Sequence, residues 1–185
     1  GLDIMRTMEW NLCVLPPVSA SILFLMPELG ALSTYTIVRS KNIRRWWLMR
    51  LAAVVVINYV FFLFALVLLS LISGAELLLA EWSTAAVLFP LHTTLLSSLC
   101  AGGMILFTSR ATIIFYLLVE CGLLAVGMAY PPVSLFLPPY WGMAQAMGDS
   151  FSSAVAVSVF LLIVLNLGII YWLSRHNPAA NPQSK

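Results

Sequence analysis

Five apolar runs divide this chain, at residues 10–27, 47–73, 83–109, 112–130 and 150–172, and its cations respect the division. Threading the chain through a bilayer in alternate directions puts eight of the nine Lys and Arg residues on one face: Arg39, Lys41, Arg44, Arg45, Arg50, Arg110, Arg175 and Lys185. Only Arg6 lies on the other. Cytoplasmic loops carry the excess of Lys and Arg, so this alternation sets an orientation as well as a class. A hydrocarbon core of ~30 Å needs about 20 apolar residues at roughly 1.5 Å each, and every run comes within reach of that. The expectation is an all-α polytopic integral membrane protein with five visible transmembrane helices. Its first residue lies outside and its last in the cytoplasm, across a bacterial cytoplasmic (inner) membrane.

Composition agrees. The chain is 62% hydrophobic and only 9% charged, against about 45–50% and about 25% for soluble domains. The six Trp residues all stand at run ends, with Trp10, Trp82 and Trp141 outside and Trp46, Trp47 and Trp172 inside. Amphipathic rings favour the headgroup level, so they are expected to anchor both interfaces. Residues 1–185 are therefore read as a single membrane domain. The net charge of +2 reflects orientation signals and gives no reason to expect nucleic acid. Three cysteines do not make a disulfide framework. A short outside stub at the amino terminus calls for something upstream to carry it across, a cleaved signal peptide or an earlier span.

The connections carry their own signals. Span one is expected to end at Pro27, with Glu28 marking the cytoplasmic boundary, because a carboxylate in hydrocarbon is costly. Residues 28–38 then read as a short amphipathic surface helix, acidic at its start and closed by Arg39 in keeping with the helix dipole. A basic strip follows to Trp46 and Trp47. Its plain reading is a stop signal with lipid headgroup contacts. Residues 131–148 combine Pro131-Pro132 and Pro138-Pro139 with Leu135, Phe136, Leu137, Tyr140 and Trp141. Prolines that break a span, set among apolar side chains, predict a re-entrant pair of short helices on the outer side. The tail, 176–185, is expected to be disordered.

Three polar residues inside the spans are candidates for the pathway or for interhelical bonds: Asn58, His92 and Glu120. Asn58 is expected to bond a neighbouring helix for about 0.6–2 kcal/mol. His92 has no second His, and no carboxylate at matching spacing, so packing or hydrogen bonding is the better reading than metal ligation. Glu120 is the one acid that cannot easily reach water. Intramembrane acids are functional candidates by default, and a satisfied interhelical hydrogen bond is an equal alternative. Pro90 is expected to loosen its helix, and the small residues at 97–103 to admit a close neighbour.

Catalytic and nucleotide motifs are absent from the sequence. There is no Gly-x-x-x-x-Gly-Lys-Ser/Thr, Gly-x-Ser-x-Gly, His-Glu-x-x-His or Cys-x-x-Cys. Nor do inverted halves repeat, and Glu120 alone makes a poor proton relay. The expectation is a chain without catalysis or cofactor of its own.

In the order of its parts the chain resembles the permease subunits of type-2 ABC exporters. That family has six spans, a coupling helix on the cytoplasmic side between the second and third, and short outer helices between the fifth and sixth. The match requires that the first span be absent here. It is carried by Pro27-Glu-Leu-Gly-Ala-Leu-Ser-Thr-Tyr with the basic stretch 39–50, by the small-residue stretch 97–110, and by 131–147. The resemblance implies a dimer of permeases, homo- or heteromeric, above separate ATP-binding cassette subunits that hold ATP and Mg. It implies a coupling segment, 28–46, in which Glu28, Leu29, Gly30, Leu32, Tyr35, Arg39, Lys41, Arg44 and Arg45 meet the ATPase.

Two other readings compete. A non-transporting structural or accessory subunit of a larger membrane complex would use the basic strip for lipid alone. A membrane-embedded enzyme or cofactor carrier would have to use His92, Cys100, Cys121 and Glu120, whose depths are scattered. Substrate identity is beyond what composition can choose.

Overall fold

In the computed structural model of the chain, the described residues are 4–29, 42–73, 79–106, 109–130, 132 and 151–175. They form five long helices: α1 at Ile4–Leu29, α2 at Ile43–Ser73, α3 at Leu79–Leu106, α4 at Ser109–Ala129 and α5 at Phe151–Arg175. No strand occurs among the described residues. Three helices are long and apolar enough to cross a membrane, through Ile43–Leu68, Ala85–Ile105 and Ser152–Arg175. α1 and α4 hold shorter apolar stretches, Cys13–Pro27 and Ala111–Gly127.

α3 is the axis of the bundle, packing against each of the other four helices. Of its spanning window 61% is buried, against 17% in α2 and 22% in α5. The polarity is inside out. α3 buries His92, Thr93, Thr94, Ser97 and Ser98, while Val56, Val60, Leu63, Phe64 and Val67 stand exposed along α2. A fold driven together by water would do the reverse, so this surface suits lipid. The exposed positions of α2 recur every three or four residues, opposite buried Trp47, Val54, Asn58 and Phe62.

Two apolar clusters join the helices. Val14, Val18 and Ile22 of α1 pack with Leu96, Cys100 and Met104 of α3. Leu25, Ile43, Trp47, Ala101, Ile169 and Leu173 gather the end of α1, the start of α2 and the ends of α3 and α5. That second cluster collects cations as a consequence of topology. Arg44, Arg45 and Arg50 open α2, and Arg175 closes α5 at the same end. Glu9 and Glu81 belong to the opposite ends of α1 and α3.

α1 departs from expectation. It begins before Trp10 and runs through Pro16, Pro17 and Pro27 to Leu29, so Pro27 does not end it and Glu28 does not open a separate helix. Proline removes its own donor and crowds the turn before it, but leaves the following residue free to continue the helix. Pro90 likewise sits within an unbroken α3. There the Thr93 hydroxyl donates to Phe89 O at 3.0 Å and Ser97 Oγ to Thr93 O at 2.7 Å, so both hydroxyls are satisfied within the helix. The surface helix expected beyond Leu29, the outer pair at 131–148 apart from Pro132, and the tail at 176–185 lie outside the described residues.

Candidate functional site

The buried polar side chains form a spine on α3 with three nodes. At the first, Asn58 Nδ2 donates to Thr94 Oγ1 at 3.1 Å, and Ser21 Oγ reaches Asn58 Oδ1 at 3.4 Å, joining α1, α2 and α3. At the second, Trp47 Nε1 donates to Asn166 Oδ1 at 2.8 Å. The Asn166 amide nitrogen donates to Leu162 O at 2.7 Å and meets Ser98 Oγ at 3.4 Å, so α2, α3 and α5 share one amide. The third node is His92 Nε2 and Glu120 Oε1, 2.9 Å apart between α3 and α4.

Helical geometry explains the division of labour. Thr94 and Ser98 are four residues apart and share a face, whereas His92 lies about 200° around the helix from Thr94. α3 is thus bonded to α1, α2 and α5 on one side and to α4 on the other. His92 is 1% exposed and Glu120 5%, so this node is shielded from solvent. With its proton on Nε2, the imidazole donates to the carboxylate; protonated, it makes an ion pair in which each charge offsets the other. α4 also approaches α3 closely at Gly103, where a Cβ would stand 2.5 Å from Thr112 Cγ2 and 3.2 Å from Tyr116 Cε2.

A small cleft of about 30 Å³ runs between α1, α3 and α4, and Glu120 lines it. Val18, Ile22 and Leu96 make its apolar walls, while Ser19, Cys100 and Tyr116 contribute polar atoms. That volume is enough to hold a water molecule. Among the described residues no group of three or more His, Cys, Asp or Glu gathers as a metal site would require.

Hydrogen bonding, the role expected of His92 in preference to metal ligation, is what the structure shows, and the partner that spacing did not reveal is Glu120, 28 residues away, because α3 and α4 fold back on each other. Trp47 is corrected. Instead of anchoring at a headgroup layer it is 2% exposed, its ring turned into the bundle toward Asn166. Asn166 carried the same signal as Asn58, a lone amide in an apolar run, and sequence reading passed it over. Of the coupling set, Arg44 and Arg45 are exposed near the start of α2, and Leu29 packs half-buried at the end of α1. Glu28 closes α1 beside it, while Gly30, Leu32, Tyr35, Arg39 and Lys41 lie outside the described residues.

No family model matches this chain, and neither a curated protein nor a solved structure shows significant similarity to it. Function must be argued from the geometry and the order of parts.

Proposed function

We propose that this chain is the membrane-spanning permease subunit of an ATP-driven exporter of the type-2 ABC class. All five helices cross the bacterial cytoplasmic membrane, and the cationic end of the bundle faces the cytoplasm. A second permease subunit completes the pathway, and separate ATP-binding cassette subunits carry ATP and Mg. α4, at 21 residues, is about 31 Å long at the helical rise, which suits a hydrocarbon core of ~30 Å. α1 spans with its polar first turns outside.

One observation carries the reading: a polar interior enclosed by an apolar exterior, with Arg44, Arg45, Arg50 and Arg175 gathered at one end and Arg6 at the start of α1. Lipid satisfies that exterior, and a motor on the cytoplasmic side would meet the basic end. Within this reading α4 is the moving element. It is tied to α3 by the His92–Glu120 pair beside a cleft, whereas α1, α2 and α5 share the other two nodes. The test is affinity purification from the native membrane. A Walker-containing subunit should copurify, and Glu28→Lys or Leu32→Asp should dissociate it or uncouple its ATPase. Normal assembly and transport with both changes would reject the proposal.

The bonding of both buried amides, Asn58 and Asn166, favours one rival, a non-transporting structural subunit whose polar side chains serve only to hold helices together. Glu120→Gln distinguishes the two. It leaves a scaffold's behaviour unchanged, but alters transport if α4 reorients.

A further inference from the structure

The cleft between α1, α3 and α4 combines a buried acid, apolar walls and an open side. Glu120 lines it, and Val14, Val18, Leu96 and Ile113 wall it. Its α1 edge reaches the surface, where Ser19 is exposed and Leu15 half-buried. The two helices that frame this edge expose Leu23 on α1 and Ile114 and Leu118 on α4. A ligand therefore arrives there from an apolar surround. Charge is the second consideration. The sequence has no Lys or Arg at 7–38, 51–109 or 111–174. Arg110, in the first turn of α4, is ten residues from Glu120, roughly 15 Å along the helix. No permanent cation is thus built into the middle of these helices. His92 Nε2 meets Glu120 Oε1 at 2.9 Å, but an imidazole is neutral or charged according to its protonation. A carboxylate accepts about four hydrogen bonds, so this one does not exhaust it. An ionised carboxyl in an apolar interior is costly, and a cation beside it offsets that cost.

We propose that this cleft binds the ammonium head of a lipophilic primary amine, with the head at Glu120 and the alkyl body running past Val18 and Leu15 to the lipid. The ammonium N–H donates to the carboxylate in a charge-assisted bond, the strongest kind available in an apolar surround. Ser19 and Tyr116 line the same cleft and offer hydroxyl oxygens to its remaining N–H groups. The cleft, of about 30 Å³, has room for a head the size of a water molecule. Charge selects the amine over a fatty alcohol. Donors select it over a quaternary ammonium, which carries the same charge but no N–H. The site rests on the membrane reading given above and is independent of any ATPase partner.

The full-length protein in neutral detergent, titrated near neutral pH with dodecylamine, dodecanol and dodecyltrimethylammonium and followed by native mass spectrometry, tests this. Dodecylamine should bind about tenfold more tightly than either of the others. E120Q keeps the shape and removes the charge, and should weaken dodecylamine by about tenfold while leaving dodecanol unchanged. S19F, at the exposed edge, should narrow the cleft and weaken dodecylamine several-fold. Should E120Q fail to fold, S19F and the ligand series still decide. Equal binding of the three compounds, a preference for the amine that survives a folded E120Q, or binding unaffected by S19F overturns the site. Dodecyltrimethylammonium as tight as dodecylamine would mean a cation held by charge alone, and the assignment to a primary amine fails. Flotation with liposomes separates the two levels: a protein that floats yet shows no preference for the amine rejects this site alone, and one that does not float rejects the membrane reading.

Discussion

Trp47 and Asn166 are 119 residues apart in the chain and hydrogen-bonded at 2.8 Å in the fold. The indole N–H of α2 and the side-chain oxygen of α5 meet inside the bundle, near its basic end, and Asn166 passes the connection on to α3. In an apolar surround neither group can turn to water instead, so the bond fixes the rotation of two helices that otherwise present smooth aliphatic faces.

Trp47→Phe and Asn166→Leu test that bond as a pair. Each alone is expected to destabilise the protein by about 1–2 kcal/mol, since each strands a buried polar partner. The double variant should cost less than the sum of the two, with a coupling energy of roughly 0.6–1.7 kcal/mol. Reversible unfolding in mixed micelles measures it; strict additivity would mean that the two side chains do not interact.

The third node predicts an asymmetry between its members. His92→Leu removes the hydrogen-bond partner of a carboxyl group that is 5% exposed, and should destabilise by about 2–3 kcal/mol. Glu120→Gln keeps the shape and a hydrogen bond to His92, so its cost should stay below about 1.5 kcal/mol. Thermal unfolding of both variants gives the comparison, and equal losses would show that His92 and Glu120 do not depend on each other in this way.

Adjacent glycines should answer differently to the same methyl group. At Gly103 an added Cβ meets Thr112 Cγ2 at 2.5 Å, so Gly103→Ala must push α4 from α3 and should lose about 1–3 kcal/mol. At Gly102 the nearest atom is Ile169 Cδ1 at 3.4 Å, an ordinary contact, and Gly102→Ala should be tolerated. Gly122 and Gly168 meet nothing within 4 Å and serve as controls. Similar melting temperatures for the 102 and 103 variants would contradict the packing described.

The outer face of α2 separates lipid from water as its surroundings. Val60 and Leu63 are each 58% exposed near the middle of a spanning stretch. A Lys at either position should disfavour insertion by roughly 2.5–3.5 kcal/mol. In a water-soluble bundle the same change would be neutral or would improve solubility. The fraction resistant to alkaline extraction from membranes reads the difference.

The proposed orientation has its own check at Asn42, which is exposed just ahead of α2. In an otherwise cysteine-free chain, Asn42→Cys should react with an impermeant maleimide only after cells are opened. Labelling in sealed cells would turn the bundle over and remove the motor's point of contact.

The helices were legible in the sequence because each depends on a local property, a run of apolar residues interrupted by charge or turn formers. Their ends were less so. Proline was read as a stop at Pro27, yet its effect is confined to the preceding turn, and α1 absorbs three of them. Asn58 and Glu120 stood out because polar groups are rare in such runs. Asn166 was equally rare and was missed, since its importance lies in what it touches. The buried role of Trp47 could not be inferred from its position beside Trp46: two consecutive residues point about 100° apart on a helix, and only the neighbours determine which one turns inward.

Chain order alone determined that this protein is helical and apolar, because those properties are sums over residues and need no partner. Which side of each helix faces inward, which polar groups meet, and that His92 answers Glu120 across 28 residues were decided by tertiary packing. The reason is physical: a hydrogen bond in an apolar interior is set by distance and angle between atoms of different helices, and no local pattern encodes where two such helices cross.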